Sequence, residues 1–165
     1  MKKIIYPIIS LIILININAC VGYKPIFSSS NLQFEIADYL IKGNKKLGNQ
    51  IYSKLYNLSK SNKNNPAAQS IYILIDISKS KDSTAKNSAG KILEYKVSIN
   101  TNIEVKDFLT NDPILNHNVT SFSSYKVQDQ HSETVRLENK TIENLLNKTY
   151  QDLLIKMSEK ILSEW

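Results

Sequence analysis

The chain has 165 residues, 42% hydrophobic and 22% charged, with 21 Lys or Arg against 15 Asp or Glu and a formal charge of +6. One Cys excludes an internal disulfide, and four scattered Gly exclude a phosphate-binding glycine loop. Arg136 is the only Arg, so the positive charge rests on Lys; it suits an anionic partner such as lipid phosphate, or equally a solvated surface.

In chain order, the first element is an export signal. Lys2 and Lys3 precede an apolar run from Ile4 to Ile17, broken by Pro7, Ser10 and Asn16. A charged start, a short apolar stretch and a small residue before a cut describe a secretory signal. The run is short of the roughly 20 apolar residues a membrane span needs. Ile17-Asn18-Ala19-Cys20 resembles the lipobox of bacterial lipoproteins, with an aliphatic residue three places before the cysteine and a small one beside it. Cys20 is therefore the expected lipidation site, residues 1–19 a cleaved signal peptide, and 20–31 a lipidated tether. An ordinary signal with an accidental cysteine is the competing reading. Two or three acyl chains anchor stably where one does not. Val21 rather than Asp after the cysteine favours the outer membrane by resemblance to lipoprotein sorting. Removing residues 1–19 from 165 leaves 146, one domain at 32–165, and lowers the formal charge from +6 to +4.

A short strand is expected near Leu32–Ile36. Leu47, Ile51, Leu55 and Leu58 then recur at spacings of four, four and three, one face of a helix over 44–60 that Asn44 can cap. Pro66 follows its end. At Ile71, Ile73, Ile75 and Ile77 the period changes to two. Lys79–Gly90 reads as a loop. Leu93, Tyr95, Val97, Ile99, Thr101, Ile103 and Val105 alternate with Glu94, Lys96, Ser98, Asn100, Asn102, Glu104 and Lys106. Such a strand belongs to an antiparallel sheet covered on one side. Asn111-Asp112-Pro113 marks a turn, and a fourth strand follows over roughly 118–127. From about Glu133 to Trp165, Ile142, Leu146, Tyr150, Leu153, Met157 and Ile161 stripe a long helix, capped by Ser132 or Asp129. The predicted fold is α+β: a two-layer sandwich of a four-stranded, mostly antiparallel sheet with two helices on one face, in the order β-α-β-β-β-α.

That order behind a lipobox resembles the LPS-assembly lipoprotein LptE family. The sharpest local match is Gly22-Tyr23-Lys24-Pro25-Ile26-Phe27, with Val21 inserted after Cys20. Ser88-Ala89-Gly90-Lys91 leading into Glu94-Tyr95-Lys96-Val97 is a second, and Ser121-Phe122 with Tyr125 before the closing helix a third. The resemblance implies an outer-membrane lipoprotein, lipid-anchored on the periplasmic side, that plugs and helps assemble the LptD barrel and takes part in inserting lipopolysaccharide into the outer leaflet. It implies basic contacts to lipopolysaccharide at the loop before the long strand and near the start of the last helix. Lys86 and Lys91 are alternatives for the first, and Arg136 is the candidate for the second, each weighed against a plain surface charge. Arg suits bidentate phosphate contact better than Lys. Lys96 and Lys126 are weaker candidates.

Nothing in the chain points to catalysis, to a cofactor or to nucleic acid. His117 and His131 lie in polar stretches, and His131 near Asp129 and Glu133 is too sparse a set to read as a metal or acid-base site. Glu138 and Glu143 read as solvent charges on a helix. An auxiliary lipoprotein of a lipid-trafficking ABC transporter is the alternative function, and a purely structural envelope lipoprotein a third.

Overall fold

A computed structural model describes residues 32–60, 65 and 68–163, with side chains to residue 160. The signal segment, Cys20 and the tether lie outside the described residues, as does the side chain of Ile161. The elements are β1 Phe34–Gly43, α1 Lys45–Ser59, β2 Gln69–Lys86, β3 Ile92–Asp107, β4 Pro113–Lys126 and α2 His131–Ser163. In space the strands keep their sequence order, β1-β2-β3-β4. β2, β3 and β4 pair antiparallel, while β1 pairs with β2 in parallel. A parallel pair needs a crossover, and α1 supplies it. The α+β sandwich expected from the alternation is therefore present, its sheet mixed through this one pair.

Local chemistry explains the first crossover. Asn44 caps α1, its side chain accepting from the Leu47 N–H at 3.2 Å. A Cβ at Gly43, where φ is +70°, would run into the Ile77 carbonyl, so β1 can end against β2 only with glycine there. Gly48 lets α1 lie on Ile41, whose methyl a side chain at 48 would strike.

Three boundaries differ from the sequence expectation. β1 runs past Ile36 to Gly43, through an irregularity between Ile36 and Asp38. The expected loop 79–90 is strand to Lys86, because Lys79–Lys86 pair with Ile99–Ile92 of β3. A strand neighbour decides β structure more than composition does. β4 begins at Pro113, five residues early; as the first residue of an edge strand its missing N–H costs no ladder bond.

Both helices cover one face. Ile71, Ile73, Ile75 and Ile77 of β2 and Val97, Ile99, Ile103 and Val105 of β3 are buried beneath Leu47, Ile51 and Leu55 of α1 and Leu145, Leu146, Leu153 and Met157 of α2. Each fully buried aliphatic contributes roughly 1.5–3 kcal/mol. Among the described residues no helix is long and apolar enough to cross a membrane.

Candidate functional site

Among the described residues, no helix lies on the opposite face of the sheet. Because side chains alternate along each strand, the cross-strand partners fall into rows. One row is Asp76, Asn102 and Asn118; the next is Ser78, Asn100 and Thr120; then Ser80, Ser98 and Phe122; then Asp82, Lys96 and Ser124. Thr120 donates to Asn100 at 2.8 Å. Set in these polar rows, Phe122 is 69% exposed, with the Lys96 ammonium 5.9 Å from its ring centre. These four rows of amides and hydroxyls around one bare aromatic can hydrogen-bond a polar wall and seat one apolar contact, while toward the other end the same face carries Leu40, Leu74 and Tyr72.

The candidate basic residues gather at one end of this sheet. The β2–β3 turn is tied by Asn87: its backbone N–H donates to the Lys91 carbonyl at 2.9 Å, and its side chain accepts from Ala89 N–H at 3.1 Å and Lys91 N–H at 2.9 Å. Gly90, at φ +78°, closes the turn with its N–H on the Asn87 carbonyl at 3.0 Å. Lys86 and Lys91 flank this turn, both exposed. Neither ammonium has a carboxylate partner among the described residues. β4 ends at the same end of the sheet, where the Val127 N–H donates to the Leu93 carbonyl at 2.9 Å, and α2 starts a few residues later. Arg136 lies in its second turn, 61% exposed, its Nε 2.8 Å from Glu133. An exposed pair of this kind is worth only about 0.3–0.5 kcal/mol, so Glu133 holds the guanidinium weakly. The structure thus brings Lys86 and Lys91 to the two sides of one turn and sets Arg136 at the same end, without joining the three into one pocket.

Beneath them lies a cluster the sequence reading missed. Glu138, expected as a solvent charge, accepts from Lys81 at 2.5 Å, Lys79 at 3.4 Å and the Tyr125 hydroxyl at 2.9 Å. Lys81 also sits 4.2 Å from the centre of the Tyr95 ring, a cation–π contact. Burial by itself would raise the Glu138 carboxyl, but the bonds from Lys81 and Tyr125 and the charges of Lys81 and Lys79 outweigh it and hold it below the usual glutamate value. For Lys81 burial works downward, and Glu138 and Tyr125 overcome it to raise the ammonium. Burial pushes the Tyr125 phenol up. The signal was present in the sequence, since Lys79 and Lys81 continue the inward parity of Ile71 to Ile77, but only the length of β2 makes that parity binding.

His117 lies within β4, paired with Ile103, rather than in a loop. Its Nε2 is 3.8 Å from Asp152, beyond hydrogen-bond reach. Among the described residues no group of three His, Cys, Asp or Glu side chains could hold a metal ion. A groove of about 730 Å³ runs between α1 and α2, walled by amides such as Asn49, Gln50 and Asn139 over Leu47 and Leu146.

No family model matches the chain, and no curated protein resembles it in sequence. Solved structures do resemble it in fold. A protein described as a lipoprotein of Caulobacter crescentus superposes with a TM-score of 0.57 at 10% identity, over 83% of this chain and 96% of that one. Lipoprotein B of Nitrosomonas europaea, itself uncharacterised, gives 0.55 at 14% identity, over 81% of this chain and 88% of that one. At such identities the likeness is one of fold, and this chain shares the fold of these bacterial lipoproteins.

Proposed function

We propose that the chain is a lipoprotein anchored through Cys20 to the periplasmic side of the outer membrane, where it plugs and assists assembly of the LptD barrel and takes part in lipopolysaccharide insertion. The observation that carries this reading is the bare polar face. A four-stranded sheet with both described helices on one side leaves about half its strand side chains for something else. In the four rows from Asp76 to Ser124 those side chains are Asn, Ser, Thr, Asp and Lys around Phe122, suited to the polar interior wall of a barrel too wide for its own side chains to fill, while the rows toward the other end add Tyr72, Leu74, Glu104 and Leu40. Lys86, Lys91 and Arg136 at the hairpin end offer cations for lipid phosphates, Arg136 by a planar fork and the lysines as point charges. The lipoprotein fold and the resemblance of residues 22–27 support the same assignment.

Two experiments test it. Tagged full-length protein, extracted in mild detergent, should carry a barrel of roughly 20 or more strands detectable by mass spectrometry; recovery of an inner-membrane transporter instead would favour the auxiliary-lipoprotein role. Palmitate should label the wild type and not Cys20→Ser, which should accumulate as precursor. Label entering that variant would refute the anchor.

A further inference from the structure

The end of the sheet opposite the basic hairpin carries a feature the proposed function does not use. Between β3 and β4 the chain turns through Phe108, Leu109 and Thr110, and there it exposes two large apolar side chains, Phe108 at 48% and Leu109 at 84%. The turn is fastened from within. Asp107 Oδ1 accepts from the N–H groups of Leu109 and Thr110, both at 2.9 Å, and Oδ2 accepts from Gln69 at 3.1 Å. The Phe108 N–H donates to the Ser70 carbonyl at 2.9 Å, the Asn111 N–H to the Asp107 carbonyl at 3.0 Å, and the Asp112 N–H to Thr110 Oγ1 at 3.3 Å. Asn111 takes φ +62°, which Asn tolerates. Every backbone N–H from 108 to 112 therefore has a partner inside the protein. An apolar medium imposes that condition, since an unsatisfied N–H there costs far more than in water.

The position of the turn supplies the second argument. Gln69 N–H donates to the Gln33 carbonyl at 3.0 Å, and the next residue, Ser70, receives Phe108. The turn is thus two strand spacings, about 10 Å, from the point where the described chain begins. Cys20 precedes Leu32 by twelve residues, a reach of at most about 40 Å. The end at which the described chain begins, and which the tether from Cys20 therefore joins, is the end that bares Phe108 and Leu109.

We propose that the Phe108–Leu109 turn is a membrane-contact wedge that seats in the phospholipid layer holding the acyl anchor. The inference rests on the Cys20 anchor and extends it: the domain meets that layer with a defined end, its basic hairpin turned away.

Once Cys20 is acylated, Leu109→Cys introduces the only free thiol, at a site exposed enough to leave the fold intact. The full chain, processed in a bacterium and purified from its membranes, would be labelled there with a polarity-sensitive dye. It would then be reconstituted into vesicles of phosphatidylethanolamine and phosphatidylglycerol. Phe108→Cys serves as a second position on the turn, and Ser83→Cys reports the hairpin end. The wedge predicts blue-shifted emission and quenching by nitroxide-bearing lipids at 109 and 108 and neither at 83. Vesicle-bound, acylated protein whose probe at 109 stays in water overturns the wedge and leaves the anchor standing. A blue shift that needs the barrel and not the lipid also overturns it, assigning the turn to a protein contact. Intact mass without acyl chains on Cys20 overturns both.

Discussion

The two faces of β3 are built from adjacent residues and meet different surroundings. Val97, Ile99, Thr101, Ile103 and Val105 are buried against helices, while Ser98, Asn100 and Asn102 stand between them on the face no helix covers. The inner face is an aliphatic packing problem in which volume decides. The outer face hydrogen-bonds across strands and adds little to folding, so its composition is free to follow a partner. Inside and outside differ by one residue of register, and a slip of one would exchange the core for the exposed polar face.

The largest effect should come from exchanging those environments. Ile99→Asn removes a fully buried side chain and buries an amide, costing about 4 kcal/mol or more of a total stability on the order of 5–15 kcal/mol. Its neighbour Asn100→Ile should stay within about 0.5 kcal/mol of wild type. Urea midpoints read both, and equal losses would break the distinction between the faces. Phe122→Ser should leave the urea midpoint in place and weaken capture of the barrel by about 2 kcal/mol, the scale of an aromatic at an interface centre. Unchanged co-purification would remove Phe122 from the contact surface.

Glu138→Ala should destabilise by about 1–2 kcal/mol, since it strands Lys79, Lys81 and Tyr125. The folded Glu138 carboxyl lies below its unfolded value, so its contribution is present above the unfolded value and lost as pH falls through the folded one. The folded Lys81 ammonium lies above its unfolded value, so its contribution is complete below the unfolded value and lost as pH rises through the folded one. Stability profiles of wild type and variant should therefore run apart at neutral pH and converge in strong acid and strong base; parallel profiles would mean the cluster adds no net stability. Smallest, Thr101→Val should stabilise by about 1 kcal/mol, because the Thr101 hydroxyl is buried with no hydrogen-bond partner among the described residues. A loss there would show that the hydroxyl is satisfied after all.

Periodicity alone placed the elements of the domain. A switch from spacings of three and four at Leu47–Leu58 to a spacing of two at Ile71–Ile77 is a local property of the chain, and so is the cap at Asn44. The lipobox pattern at Ile17–Cys20 is local in the same sense, and it yields the anchor reading without any fold. Two-sided alternation in β3 also announced that one sheet face would be bare.

Tertiary structure alone decided that β1 runs parallel to β2, that Lys79–Lys86 are strand, and that Glu138 meets Lys79 and Lys81 across more than fifty residues and Tyr125 across thirteen. It also set Phe108 and Leu109 at the end where the described chain begins, with the basic residues at the other. A strand takes its length from its neighbour's backbone, and an ion pair forms only between elements that packing has brought together. Neither is encoded in any short window of residues, whereas the hydrophobic repeat that drives each element to the core is.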